Sequence, residues 1–310
     1  MTIAIIGPGA LGCLLAGRFF SAGEPVRLVD YRPERAQALR EHGIGFTDLD
    51  GARQVLPIPV VLPAELEPAD LSVVTVKAHQ TAAAARDLPA LLAAGGIALT
   101  LQDGLGNLEQ MAAVAGPARL LAGVTFVGAT RPADGDVICA GRGATVIGAP
   151  AGSRVMPEEL EKVAEVFRRA GLPCQVRGDI DAVLWEKLVV NVAINPLTAI
   201  LKVRNGALPD IPEAWELAVA AAKEVTQVAE AGGIALTIDA EARLKEVCTA
   251  TAANRSSMLQ DVLAGRATEI DALNAQVSSR GAALGVATPV NDLLTRLIRA
   301  RSRTVHLPTI

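Results

Sequence analysis

The first half of the chain alternates between two hydrophobic periods. TIAIIG, EPVRLVD, DLSVVTV and GIALTL are short, β-branched and almost wholly apolar, as expected of central parallel strands covered on both faces. Between them, ALGCLLAGRFFSAG, PERAQALREHG and QTAAAARDLPALLAAG have helical spacing. The first two stop at Gly23 and Gly43, the residue type favoured at a helix C-terminus. LLAGVTFVGAT, DVICA and ATVIGA are expected to close the same sheet, followed by a helix from Pro157 to Ala170 and a last strand in PCQVRG. Strand and helix in alternation predict an α/β, doubly wound sheet of the Rossmann type. From Ile180 the texture changes. DAVLWEKLVVNVAINPLTAIL, AWELAVAAAKEVTQVAEAGG, AEARLKEVCTATAANRSSMLQDVLAG and ATEIDALNAQVSSRGAALG are long and helical, with no strand alternation. The pattern predicts an N-terminal Rossmann-type domain over 1–178 and a C-terminal all-helical domain over 179–310.

Composition narrows the function classes. Hydrophobic residues make up 51% of the chain but aromatics only 3%, so the core is built from Ala, Val, Leu and Ile. The net charge is −4, and the one concentrated basic run is RLIRARSR, Arg296 to Arg303. Its helical spacing reads as a solvated helix face, whereas a nucleic-acid surface would show a broader basic stripe. Cys13, Cys139, Cys174 and Cys248 are far apart, with neither a disulfide framework nor a metal spacing. MTIAIIG lacks a basic leader, and Asn195 and Pro196 interrupt the most membrane-like stretch. A soluble, cytoplasmic protein without nucleic-acid or membrane partners is expected. Its Ala-rich helical half suits a homodimer interface by analogy.

GPGALG places Gly7, Gly9 and Gly12 in G-x-G-x-x-G spacing between a strand and a helix. That context turns a weak pattern into a dinucleotide site. Gly7 permits the tight turn, Gly9 lets a pyrophosphate approach the backbone, and Gly12 lets helix and strand pack closely. The amides at the helix N-terminus then face the phosphates. Asp30 ends the second strand, where an acid takes the ribose 2′-hydroxyl and favours NAD(H). Arg32 and Arg35 follow at once and suit a 2′-phosphate, so the residues conflict, with Asp30 tilting them modestly toward NAD(H).

The helical half carries three polar constellations. Lys187, Asn191 and Asn195 recur at steps of four along an otherwise apolar helix, with Asn205 beyond it. A buried stripe of that kind is costly unless something satisfies it. In NRSSMLQD, Asn254, Ser257 and Asp261 are expected on one helix face, and in ATEID Glu269 precedes Ile270 and Leu273. A cation, a carboxylate and several neutral hydrogen-bonding groups suit an anionic 2-oxo acid, with the lysine serving the carbonyl being reduced. Hydride arriving at a ketone leaves an alkoxide, which needs a proton and a nearby positive charge. His42, His79 and His306 lie outside these constellations, which argues against a histidine-based dehydrogenase.

GPGALG, VKAHQ at Lys77, QDGLGN at Asp103, WEKLVVNVAINPLTAI, NRSSMLQD and TEID occur in one order along nearly the whole chain. In this the sequence resembles the ketopantoate reductase (2-dehydropantoate 2-reductase) family. The resemblance implies NADPH-dependent reduction of ketopantoate to pantoate, on the route to pantothenate and coenzyme A. It implies Lys187 as the acid that protonates the new alkoxide and Glu269 as the carboxylate near it. Asn191, Asn195, Asn254 and Ser257 resemble the substrate-binding set, and Lys77 the lysine near the cofactor.

One position departs from the family. Where the family has an asparagine that touches nicotinamide and substrate, this chain has Asp103. An ionised aspartate there would repel a carboxylate substrate by roughly 4 kcal/mol at about 4 Å and an effective dielectric near 20. Asp103 is therefore protonated, or paired with Lys187 or Lys77, or the substrate is not ketopantoate. The alternatives to a ketopantoate reductase are a reductase of another branched 2-oxo acid or an opine-type dehydrogenase on the same scaffold. A third is a dinucleotide sensor without turnover.

Overall fold

The structure is a computed structural model and describes residues 1–304. The chain forms two compact units, one of residues 1–102 and 107–180, the other of 103–106 and 181 onward.

In the first unit the elements run β1 (Ile3–Ile6), α1 (Ala10–Ser21), β2 (Val26–Val29), α2 (Pro33–His42), β3 (Ile44–Thr47), β4 (Arg53–Leu56), β5 (Val60–Val61), β6 (Ala69–Val74), α3 (Thr81–Leu91), β7 (Leu92–Thr100) and α4 (Asn107–Ala115). They continue with β8 (Leu120–Thr125), β9 (Gly128–Thr130), β10 (Asp136–Gly141), β11 (Thr145–Gly148), α5 (Pro157–Arg169) and β12 (Cys174–Val176). Eight strands form one sheet in the order β12-β11-β8-β7-β6-β1-β2-β5. It is parallel except where β11 meets β8. The central strands β1 and β8 are buried throughout, which explains their unbroken apolar runs.

The expectation that all the later strands close this sheet fails for two of them. β9 and β10 join β3 and β4 in a separate four-stranded sheet. β10 buries Val137 and Cys139 while Ile138 stays 38% exposed, the alternation of a strand covered on one face only. β4 shows three exposed residues of four and left almost no apolar signal.

The second unit is helical: α6 (Ile180–Leu201), α7 (Pro212–Ala231), α8 (Ala240–Ala250), α9 (Ser257–Leu263), α10 (Asn274–Leu284) and α11 (Pro289–Thr304). Among the described residues α6 alone is long and apolar enough to cross a membrane, and 67% of that stretch is buried inside the protein, as in a core helix. Pro196 sits within α6 and has no N–H to offer the carbonyl of Val192 one turn back. The fully buried Asn274 fills that gap, donating from Nδ2 to the Val192 oxygen at 2.9 Å and to Oδ1 of Asn291, also at 2.9 Å. Asn291 in turn donates to Glu224, whose carboxylate accepts the backbone N–H groups of Val290 and Asn291 at the start of α11. The proline-interrupted helix, α7, α10 and α11 are thereby joined by one buried polar chain. Asn274→Ala leaves the Val192 carbonyl without this donor, and a loss of about 2–4 kcal/mol is expected in urea unfolding. An unchanged midpoint would show that the chain contributes nothing.

Two helical segments are shorter than their patterns suggest. The stretch ending in NRSSMLQD breaks between α8 and α9, so Asn254 precedes the helix and shares no helix face with Ser257 and Asp261. Ser256 makes the break, because its Oγ accepts the Leu259 N–H as an N-cap at 3.0 Å. Likewise α10 begins only at Asn274, and Glu269 lies in the turn before it. There the Glu269 carbonyl accepts the N–H groups of Ala272 and Leu273.

Candidate active site

The first unit carries the glycine-rich turn between β1 and α1. β1 delivers the chain into a turn at Gly7, whose φ of +108° is a backbone conformation that favours glycine. A Cβ there would stand 2.7 Å from Cγ1 of Val76. Thr75 fastens the turn, its Oγ1 lying 3.1 Å from the Ile6 carbonyl and 3.0 Å from that of Gly7. At Gly12 a Cβ would overlap the Gly7 carbonyl oxygen, so helix and strand meet there without room for a side chain. Gly9 is different: a Cβ would find its nearest neighbour 3.9 Å away. Gly9 is the N-cap of α1, with no side-chain cap among the described residues and no acid in the first turn. The first-turn amides and the space beside Gly9 therefore fit the pyrophosphate of a dinucleotide.

At the end of β2, Asp30 is fully buried. Its carboxylate accepts the Arg32 N–H at 3.1 Å and a two-pronged ion pair from the Arg35 guanidinium. Arg32, by contrast, keeps a side chain 56% exposed. Lys77 is half-buried and opens a short 3-10 turn, its carbonyl accepting the Gln80 N–H at 2.7 Å. Beside it runs a buried polar chain that the sequence did not disclose. Gln102 Nε2 donates to the Val76 carbonyl and to Oγ1 of Thr81, which donates to Oδ1 of Asn107. Cys13 lies behind the glycine-rich turn, where burial pushes its thiol up to about 12.

In the second unit, α6 places Lys187, Asn191 and Asn195 along one side of the helix, the first two half-buried and Asn195 buried. Residues 103–106 belong to this unit. Asp103 meets Lys187 with Oδ1 at 2.6 Å from Nζ, their side chains 27% and 17% exposed. The next residues settle on the turn that carries Glu269: the Leu105 N–H donates to the Ala272 carbonyl at 2.9 Å. Gly104, at φ +83°, lies so close to Ala272 that a Cβ would overlap its carbonyl. Lys187, Asp103 and the Glu269 turn are thus assembled by one short segment. A half-buried ammonium with a carboxylate at hydrogen-bond distance is a charge-assisted pair that fixes the lysine's orientation.

The remaining candidates divide. Asn205 is buried: its Nδ2 donates to Oγ1 of Thr251 at 2.9 Å and its N–H to the Asn254 carbonyl, while its Oδ1 has no hydrogen-bond partner among the described residues. It ties the loop after α6 to the end of α8. Asn254 and Ser257 are exposed, whereas Ser256 is buried, in a 2.7 Å hydrogen bond from Oγ1 of Thr198. Asp261 is buried and accepts from Arg266 Nε at 3.0 Å. In RLIRARSR, Arg296 pairs with Asp292 and Arg299 with Asp271. His306 lies outside the described residues.

Comparison with known proteins gives these two constellations a shared context. The family model described as "Ketopantoate reductase PanE/ApbA" matches residues 3–152, and "Ketopantoate reductase PanE/ApbA C terminal" matches 179–302. The chain is 38% identical to the 2-dehydropantoate 2-reductase of Archaeoglobus fulgidus over 96% of both chains. It is 36% identical to that of Halobacterium salinarum, over 98% of this chain and 99% of the other. A PanE/ApbA family ketopantoate reductase from Ralstonia eutropha superposes with a TM-score of 0.89 at 29% identity, covering 98% of this chain and 99% of that one. A D-mandelate dehydrogenase solved with NADH and anilino(oxo)acetate superposes with a TM-score of 0.91 at 27% identity, covering 99% and 100%. The two family models cover both the glycine-rich turn and the lysine helix, and the chain belongs to the ketopantoate reductase family.

Proposed function

We propose that the protein reduces 2-dehydropantoate to (R)-pantoate with a reduced nicotinamide dinucleotide, a step on the route to pantothenate and coenzyme A. Family membership supports the reaction class, and the Lys187–Asp103 pair in the helical unit is the observation that carries the chemistry. The reduced nicotinamide supplies the hydride when bound. Lys187 holds a proton at Nζ and delivers it to the oxygen that becomes an alkoxide as the ketone is reduced. Its charge also stabilises that oxygen before the proton moves. Asn191 and Asn195, on the same side of α6, supply neutral hydrogen bonds to the substrate, as do Asn254 and Ser257. Glu269 receives the substrate hydroxyl and balances the lysine. Lys77 serves the coenzyme end of the site. Asn205 holds its loop to the end of α8 through Nδ2 and keeps Oδ1 for the substrate-binding set.

The coenzyme reading favours NADPH. Asp30 is spent on Arg35 and the Arg32 amide, so it is not free to take ribose hydroxyls, while the exposed Arg32 is placed for a 2′-phosphate. Initial rates with ketopantoate and each coenzyme test both parts. A kcat/KM for NADPH above that for NADH supports the reading, and no turnover with either coenzyme overturns it.

A second reading, reduction of a different 2-oxo acid, is favoured by Asp103 and by the likeness to a D-mandelate dehydrogenase. Asp103 cancels much of the positive charge that Lys187 would offer a carboxylate. Asp103→Asn should therefore lower KM for ketopantoate by about five- to tenfold, the worth of one screened charge at a half-buried site. A raised KM would show instead that Asp103 positions Lys187. Ketopantoate turnover seen only in the variant would establish the second reading.

A further inference from the structure

The connection between β9 and β10 reaches back to the glycine-rich turn. It is a fixed turn: the Asp136 N–H donates to the Ala133 carbonyl at 3.2 Å, and the Gly135 carbonyl accepts the Gly45 N–H of β3 at 2.8 Å. Arg53 of β4 adds an ion pair to Asp136 at 2.9 Å. Two charged side chains project from this support. Arg131 donates from Nη1 to the Pro8 carbonyl at 3.4 Å, inside the GPGALG turn, and to Oδ1 of Asp134 at 2.7 Å. The other carboxylate oxygen of Asp134 stands 3.6 Å from Nη2 of Arg32. One carboxylate thus serves two arginines, one touching the glycine-rich turn and the other following the second strand.

The three contacts are unequal. Arg131 is 21% exposed and Asp134 56%. The Arg32–Asp134 pair is open to water on both sides and longer than a hydrogen bond. It also forms part of the wall of an open groove of about 500 Å³ between α2 and the small sheet, with His42, Arg53 and Asp136. Asp134 therefore has room to leave Arg32, whereas Asp30 is locked beneath Arg35.

We propose that Asp134 is a coenzyme-selecting residue, held by Arg131 and screening Arg32 in the free protein so that a ribose 2′-phosphate must compete with it for Arg32. The inference rests on the reading of the β1–α1 turn as a dinucleotide site. A ligand without the 2′-phosphate leaves the Arg131–Asp134–Arg32 chain undisturbed. A ligand with it gains the Arg32 cation but meets one carboxylate of like charge, so Asp134 sets how far the phosphorylated coenzyme is preferred.

The test uses adenosine fragments, which need no turnover. Dissociation constants for 2′,5′-ADP and 5′-AMP are measured by calorimetry on the full chain and on Asp134→Asn, which keeps an acceptor for Arg131 but removes the charge. The expected result is about five- to tenfold tighter binding of 2′,5′-ADP and an unchanged 5′-AMP constant. The gain should disappear in the Arg32→Ala background. Equal changes for both ligands, no change, or weaker 2′,5′-ADP binding would overturn the assignment. Failure of the unsubstituted protein to bind either fragment would overturn the dinucleotide reading itself, and the inference with it.

Discussion

Lys187→Ala should lower kcat for 2-oxo acid reduction by about 10²–10⁴-fold, the range spanned by a positioned general acid. The expected effect is large because the lysine has two tasks: protonating the new hydroxyl and stabilising the oxygen while it is still an alkoxide. Fold should survive, since the side chain lies half-buried beside a partner that water can also reach. The same substitution leaves Asp103 without its 2.6 Å partner, and its charge then opposes a carboxylate substrate. KM should rise together with the fall in kcat. The double variant Lys187→Ala/Asp103→Asn separates the two contributions, since KM should return towards the parent value while kcat stays low. Steady-state kinetics with unfolding curves on all three variants make the measurement. A Lys187→Ala protein with full kcat would remove the lysine from the chemistry.

Gly12→Ala should abolish dinucleotide binding, with an increase in Kd of at least about 100-fold, and should destabilise the protein by about 2–4 kcal/mol. The added Cβ would overlap the Gly7 carbonyl and stand 2.7 Å from Oγ1 of Thr75, which itself locks the turn. A backbone carbonyl in a strand-to-helix turn cannot move aside as a flexible side chain can. Relief would displace the turn that holds Gly7 at φ +108°. Gly9→Ala is the informative companion. Its Cβ meets nothing closer than 3.9 Å, and its φ of −76° is open to any residue, so the protein should fold with nearly parental stability. If the space beside Gly9 is where a pyrophosphate approaches, that variant should still bind NADPH at least about tenfold more weakly, because a methyl group would fill part of that space. Fluorescence titration of NADPH alongside thermal unfolding distinguishes the two positions. Parental binding by Gly9→Ala would place the phosphates elsewhere.

How much of this was legible depends on whether a residue acts through its neighbours in sequence or through distant ones. The turn in GPGALG is legible because its shape is local: the positive φ of Gly7, the N-cap position of Gly9 and the close approach of Gly12 to the Gly7 carbonyl all fall within one strand–turn–helix. The polar stripe of α6 is legible for the same reason, since helix geometry alone aligns Lys187, Asn191 and Asn195. Asp30 shows the limit of a local motif. The arginine that closes over it is five residues further on, in the next helix, and nothing in the motif says which of Arg32 and Arg35 will turn inward. The pairing of Asp103 with Lys187 is one that sequence spacing alone does not dictate. It is fixed by where residues 103–106 settle, on the turn at Ala272. Arg131 and Asp134 give no signal at all. They lie in a connection with no periodicity, and their placement depends on a second sheet whose strands β3 and β4 are short and partly exposed. The break before α9 was marked in the sequence, because a serine before an apolar run is a helix start. It was obscured by the helical periodicity on either side.

The four residues 103–106 also bear on how this protein can be taken apart. Because they belong with the helical unit but are encoded inside the first, the chain changes unit after Gln102, after Gly106 and again after Ile180. The two units are therefore not cassettes that a single cut could exchange. A helical half grafted onto another dinucleotide domain would meet that domain's own four-residue insert in place of Asp103, and with it a different neighbour for Lys187. Swapping substrate specificity between relatives of this protein calls for moving two pieces of sequence together, one of them only four residues long.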